Sequence, residues 1–121
     1  MSDFFKECVA QALDNLPKEF HDKMDNVGVI VEEFADAETL QSLGIESPWY
    51  LLGLYVGVPL NQRSVFATSG MPDRIYLYRR PILAATEKPE NVPSTIRDVL
   101  IHEIGHHFGF DEEDLEAMNQ S

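Results

Sequence analysis

Apolar residues open the chain at spacings of three and four. Phe5, Cys8, Val9, Ala12, Leu13 and Leu16 share one stripe of a helix over residues 3–16, which Pro17 stops. A further turn or two runs through Phe20 and Met24. The period then changes. Residues 27–34, Val-Gly-Val-Ile-Val-Glu-Glu-Phe, are rich in β-branched side chains and read as a strand. Residues 36–43 fit a short helix or loop, and Glu46-Ser47-Pro48 a turn. Leu51 to Val58 is an apolar run closed by Pro59. It reads as a buried strand, bulged at Gly53 or Gly57. Residues 61–73, with their Ser, Gly and Pro, read as loop. From Arg74 to Arg79, Ile75 and Leu77 alternate with Tyr76 and Tyr78, giving a strand with two different faces. Pro81 ends it, and a helical turn over Ile82 to Thr86 follows.

The strongest helix covers residues 94–108. Thr95 and Asp98 have the spacing of a capping box, with Pro93 just outside, and Gly109 marks the end. Ile96, Leu100, Ile104 and Phe108 form its apolar stripe. Three strands with helices before and after them make an α+β domain, and no linker or repeat divides residues 1–121.

Composition narrows the function. With 21 Asp+Glu against 9 Lys+Arg, the net charge is −12, which disfavours nucleic acid and anionic membrane surfaces as partners. Cys8 is the one cysteine. It allows no intrachain disulfide, and its place on the apolar stripe suits a core residue. The first residues lack a basic start and an apolar segment of signal-peptide type, and the run from Trp49 to Leu60 is too short to span a bilayer. The expected location is cytoplasmic.

The last helix carries the chemistry. His102, Glu103 and His106 form His-Glu-x-x-His. At about 100° per residue, the two histidines point the same way from consecutive turns, so both imidazoles can reach one zinc ion. Glu103 lies beside that face, within reach of a water on the ion, and is the candidate general base. His107 falls on the apolar side, near Leu100 and Ile104, and reads as a packed histidine rather than a ligand. A catalytic zinc keeps three protein ligands and an open position. The turn at Gly109 brings the following acids back toward the metal. The His-x-x-Gly-x-x-ligand spacing lands on Glu112, with Asp111 and Asp114 as neighbours that can substitute.

These residues give the chain a family likeness. Ala12-Leu13-Asp14-Asn15-Leu16-Pro17, Leu52-Gly53-Leu54-Tyr55, Gly57-Val58-Pro59-Leu60, Pro72-Asp73-Arg74-Ile75, Tyr78-Arg79-Arg80-Pro81-Ile82 and His102-Glu103-Ile104-Gly105-His106-His107-Phe108-Gly109 resemble a family of small bacterial zinc metallopeptidases with a minimal zincin fold, related to the Asp-zincins. Only the last segment is a chemically specific motif. The resemblance implies a small mixed sheet of three to four strands, packed on an N-terminal helix and a C-terminal active-site helix. It also implies zinc ligands at His102 and His106 and a general base at Glu103. Asp-zincins place an aspartate three residues after the glycine. That position here is Glu112, whose longer side chain has to bind from a different backbone position.

The implied function is a zinc-dependent hydrolase, a metallopeptidase acting on a peptide or protein. The alternative is a zinc- or peptide-binding protein with little turnover, which the short chain favours because larger zincins wall their cleft with a second lobe. Zincins hold an extended peptide along an edge strand beside the active-site helix. Arg74 to Arg79, the last strand before that helix, is the candidate here.

Overall fold

In the computed structural model, which describes residues 2–25, 27–57 and 73–109, the opening stripe becomes helix α1 (Ser2–Asp14). Its buried face is Phe5, Cys8, Val9 and Ala12. Leu16 is buried just beyond it, and α2 (Lys18–Lys23) adds Phe20 to the core. Strand β1 (Val27–Glu32) follows. Helix α3 (Ala37–Leu43) is capped by the Asp36 side chain, which accepts from the Thr39 amide. It closes on Gly44, at φ 70°, the left-handed conformation that glycine enters without a steric cost. A 3₁₀ turn (Pro48–Tyr50) leads into β2 (Gly53–Val56), and after β3 (Asp73–Tyr78) come α4 (Arg79–Ala85) and α5 (Val92–His107). The loop expected over residues 61–73 lies outside the described residues, except for Asp73, which opens β3.

The three strands form a mixed sheet in the order β1-β3-β2, so the fold is α+β as expected. β1 runs parallel to β3, pairing Val27 with Asp73 through Glu32 with Tyr78. β2 runs antiparallel to β3, pairing Gly53 with Leu77 through Val56 with Arg74. This corrects one expectation. The strand over Arg74–Arg79 is not an edge: β3 is the centre of the sheet, its main chain paired on both sides. Ile75 and Leu77 form one face, fully buried, and Tyr76 and Tyr78 the other, as the alternation predicts. On the tyrosine face, Tyr78 is buried at 2% exposure, Tyr76 is half-buried and Arg74 is exposed.

Helix α5 packs between the sheet and α1. Ile96, Leu100, Ile101 and Ile104 are fully buried on its inner side. Arg97, on the flank toward α1, donates from Nε to the Asn15 carbonyl at 3.0 Å. Two expectations for this helix change. It begins at Val92, with Pro93 in its first turn, where a missing N–H costs nothing, and no side chain caps it. Thr95 therefore sits inside the helix. Its hydroxyl donates back to the Asn91 carbonyl and pairs with Thr86, in place of a capping box with Asp98. Phe108 lies one position past the last helical residue and leaves the apolar stripe. It is 43% exposed, with the Lys23 ammonium 4.7 Å from its ring centre. Gly109 turns the chain at φ 87°, as its position predicts.

Candidate metal centre

The burial of Ile96, Leu100 and Ile104 fixes the rotation of α5, and with it the direction of the motif. His102 and His106 lie on the outer side, one turn apart, with ring centres 6.1 Å apart and planes at 86°. His102 Nδ1 is 2.9 Å from the Asp98 carbonyl. A carbonyl can only accept, so Nδ1 carries the proton and Nε2 presents its lone pair. Metal-ligating histidines are oriented in this way by the hydrogen bond at their other nitrogen. The donor set therefore fits half of a zinc site. Among the described residues no group of three His, Cys, Asp or Glu side chains comes together as a metal site would need, so His102 and His106 stand there as a pair. Glu112, Asp111 and Asp114 lie outside the described residues.

Glu103 is half-buried between α5 and β2. Its Oε1 accepts the Tyr55 amide proton, with the nitrogen 3.3 Å away. Burial pushes its carboxyl above the usual range, while the Tyr55 N–H, and after it the neighbouring His106 and His102, pull the other way. A carboxylate raised in this manner is a better proton acceptor than an exposed one.

His107 departs from its expected place. It does not join Leu100 and Ile104 in the core, because position 107 is the final helical residue and faces the sheet edge. Its ring stacks on Tyr55, centres 4.0 Å apart and planes at 20°. Its Nε2 lies 4.0 Å from Asp73 Oδ2. Tyr55 Oη donates to that same oxygen at 2.7 Å, and Asp73 is 6% exposed.

Tyr55 thus ties β2 to the motif helix at both ends of the motif, by its amide at Glu103 and by its ring at His107. Motif spacing did not point to Tyr55 or Asp73. Both occur in the segments Leu52-Gly53-Leu54-Tyr55 and Pro72-Asp73-Arg74-Ile75, for which the sequence alone suggested no mechanism.

The glycines of those segments have a reason as well. Neither marks a bulge in the described ladder; each sits where α5 presses on β2. A Cβ on Gly53 would lie 2.6 Å from Val99 Cγ1 and 3.0 Å from the Tyr76 carbonyl oxygen. A Cβ on Gly57 would lie 2.6 Å from His107 Cε1. A glycine inside a strand is the sequence signal for such an approach.

Beside the motif, a cleft of about 340 Å³ opens between the residues leading into β2 and the middle of α5. Tyr50, Leu51, Leu52 and Val99 line it together with His102 and Glu103. No described helix is long and apolar enough to cross a membrane.

No curated protein matches the chain. The model of one family does, over residues 24–121, and by that match the chain belongs to the zincin-like metallopeptidases.

Proposed function

We propose that the protein is a zinc-dependent peptide hydrolase, with His102 and His106 as metal ligands and Glu103 as general base. Membership of a family that typically binds zinc supports it. The observation that carries it is the helix face itself: a histidine whose Nδ1 is committed to the Asp98 carbonyl, a second histidine one turn on, and a half-buried carboxylate between them. Zinc, when bound, supplies Lewis acidity toward a carbonyl and lowers the pKa of water. Glu103 takes the proton that attack on the peptide carbonyl releases, and passes it to the leaving amine. The Tyr55 amide holds that carboxylate against the sheet while it waits. With β3 enclosed, the sheet edge nearest the motif helix belongs to β2, whose second side has no strand partner among the described residues. A peptide chain extended along β2 would face Glu103. The net charge of −12 and the lone, buried Cys8 support a cytoplasmic protein that does not act on nucleic acid.

The Tyr55 N–H on Glu103 also favours a second reading, zinc or peptide binding with little turnover, because a carboxylate already accepting a proton donor is a weaker base. One pair of variants separates the two. Wild type should bind about one zinc per chain, and His102→Ala or His106→Ala should lose most of that affinity in a competitive titration. Unchanged stoichiometry and affinity in the double variant would reject the site. Glu103→Gln should keep the metal and lose hydrolysis of a peptide library by about 10²–10⁴-fold. Equal turnover by the variant removes Glu103 as base, and absence of turnover in zinc-loaded wild type leaves the binding reading.

A further inference from the structure

We infer that the outer edge of β1 is a docking edge for an extended segment of another protein, one that carries Lys or Arg at its flanks. The inference does not rest on the hydrolase reading. In the sheet order β1-β3-β2, this edge lies across the sheet from the β2 edge beside Glu103. Three observations carry it. The first is that the edge is open and unguarded. β1 pairs with β3 on one side, and among the described residues no strand pairs with its other side. The pairing with β3 is unbroken over all six residues, from Val27 with Asp73 to Glu32 with Tyr78, so no bulge twists the edge away. The strand holds no Pro, Lys or Arg, the residues that commonly keep an edge from pairing. The second observation is apolar surface along the edge. Val31 is 38% exposed. Just past the end of the strand, Phe34 meets Trp49 edge to face, ring centres 4.9 Å apart, with Trp49 49% exposed. A strand added here gains main-chain hydrogen bonds and covers these side chains.

The third observation is charge, and it decides the occupant. Residues 25–38 carry five acids, Asp25, Glu32, Glu33, Asp36 and Glu38, all exposed, and no Lys or Arg. The nearby cations belong to elements behind the edge. Arg79 and Arg80 are held on Glu33, and Arg74 lies one strand in, opposite Gly28. Burial first, then Glu32, Tyr76 and Asp36, push the Tyr78 hydroxyl up to about 12, so the charges of Glu32 and Asp36 meet at the C-terminal end of β1. A second copy of the chain fits poorly. Antiparallel, it brings Asp25 and Arg74 to that end together, and these offset each other. Parallel, it sets Glu32 beside Glu32. Each copy also carries −12. A segment with Lys or Arg at both flanks is complementary to Asp25 at one end and to Glu32 and Asp36 at the other.

The test uses the full chain, with and without zinc, and two blocked heptapeptides, Lys-Val-Thr-Val-Thr-Val-Lys and Glu-Val-Thr-Val-Thr-Val-Glu. Binding is followed by amide chemical shifts. The Lys peptide should shift residues 27–34 and 49, and at low salt it should bind at least about tenfold more tightly than the Glu peptide, a gap that added salt narrows. Glu32→Lys, at an exposed position, should weaken the Lys peptide and strengthen the Glu peptide. Val31→Lys sets a guard on the edge and should lose both peptides, with zinc affinity unchanged. Should Val31→Lys unfold, the change of preference in Glu32→Lys still decides. Equal binding of the two peptides, no binding by either, or shifts centred on residues 53–56 overturns the docking edge. So does a wild-type chain that sediments as a dimer and a Glu32→Lys chain that sediments as a monomer, because the occupant is then a second copy.

Discussion

Replacing Gly53 by alanine probes the contact that brings β2 to the motif helix. The added Cβ would sit 2.6 Å from Val99 Cγ1, about 1 Å inside the ordinary carbon–carbon separation of roughly 3.5–4.0 Å. Neither neighbour yields easily. Valine in a helix has one strongly preferred χ1, and turning it about 30° off costs roughly 0.5–1.5 kcal/mol. The other close atom, the Tyr76 carbonyl oxygen at 3.0 Å, belongs to the central strand, where Tyr76 is the register partner of Leu54. Overpacking of this kind costs about 1–3 kcal/mol. Against it stands about 0.4–1 kcal/mol gained by removing a glycine from the unfolded chain. The expected net loss is about 1–2 kcal/mol, read by urea unfolding, with Tm lower by roughly 3–6 °C per kcal/mol for a chain of this size. Val99→Ala removes Cγ1, so the double variant should recover much of that loss, with a coupling of at least about 0.5 kcal/mol. If Gly53→Ala unfolds with wild-type stability and shows no coupling to position 99, β2 and α5 are not in the close contact described.

Other outcomes can be fixed in advance. Tyr55→Phe removes the donor at 2.7 Å from buried Asp73 but keeps the stack on His107, so stability should fall by about 1–3 kcal/mol in urea unfolding; a change below about 0.5 kcal/mol would show that this hydrogen bond does not matter. Glu33 is held by Arg79 at 2.7 Å and Arg80 at 2.9 Å, and these bonds lower its carboxyl from 4.5 to about 2 in the folded chain. A lowered folded pKa stabilises above the unfolded value, and that stabilisation fades as pH falls from about 4.5 toward 2. The Tm difference between wild type and Glu33→Gln should therefore shrink across that window, and salt should shrink it too because the group is exposed. A difference independent of pH would remove this clamp from the account.

What was legible in the sequence follows from what local patterns encode. The helical period reports which face of a segment is apolar, and that placed Ile96, Leu100 and Ile104 inside and the motif outside, the two facts the site depends on. The β-branched and alternating runs gave the three strands. Strand order was not legible, because alternation describes the two faces of a strand and says nothing of its two edges. The helix start was misread because Thr95 and Asp98 have capping-box spacing wherever they occur, whereas Pro93 is just as comfortable inside the first turn. The supports of the site, Gly53, Tyr55 and Asp73, come from strands. Tyr55 and Glu103 are 48 positions apart in sequence, and no spacing rule joins them.

The packing of α1 against α5 has a kinetic consequence. The family match begins at residue 24, yet α1 covers the back of the motif helix from before that point. Asn15 and Arg97, which join the two helices, are 82 positions apart. Bringing such distant segments together carries a loop-closure cost of about 4 kcal/mol by the logarithmic rule, and contacts of high sequence separation slow folding. The packing of α1 on the motif helix is therefore completed only when these distant segments meet. Because a metal that binds only the closed form is linked to that step, bound zinc should raise the midpoint of global unfolding. Substitutions in α1 that loosen its packing on α5 should lower that midpoint with zinc and without it.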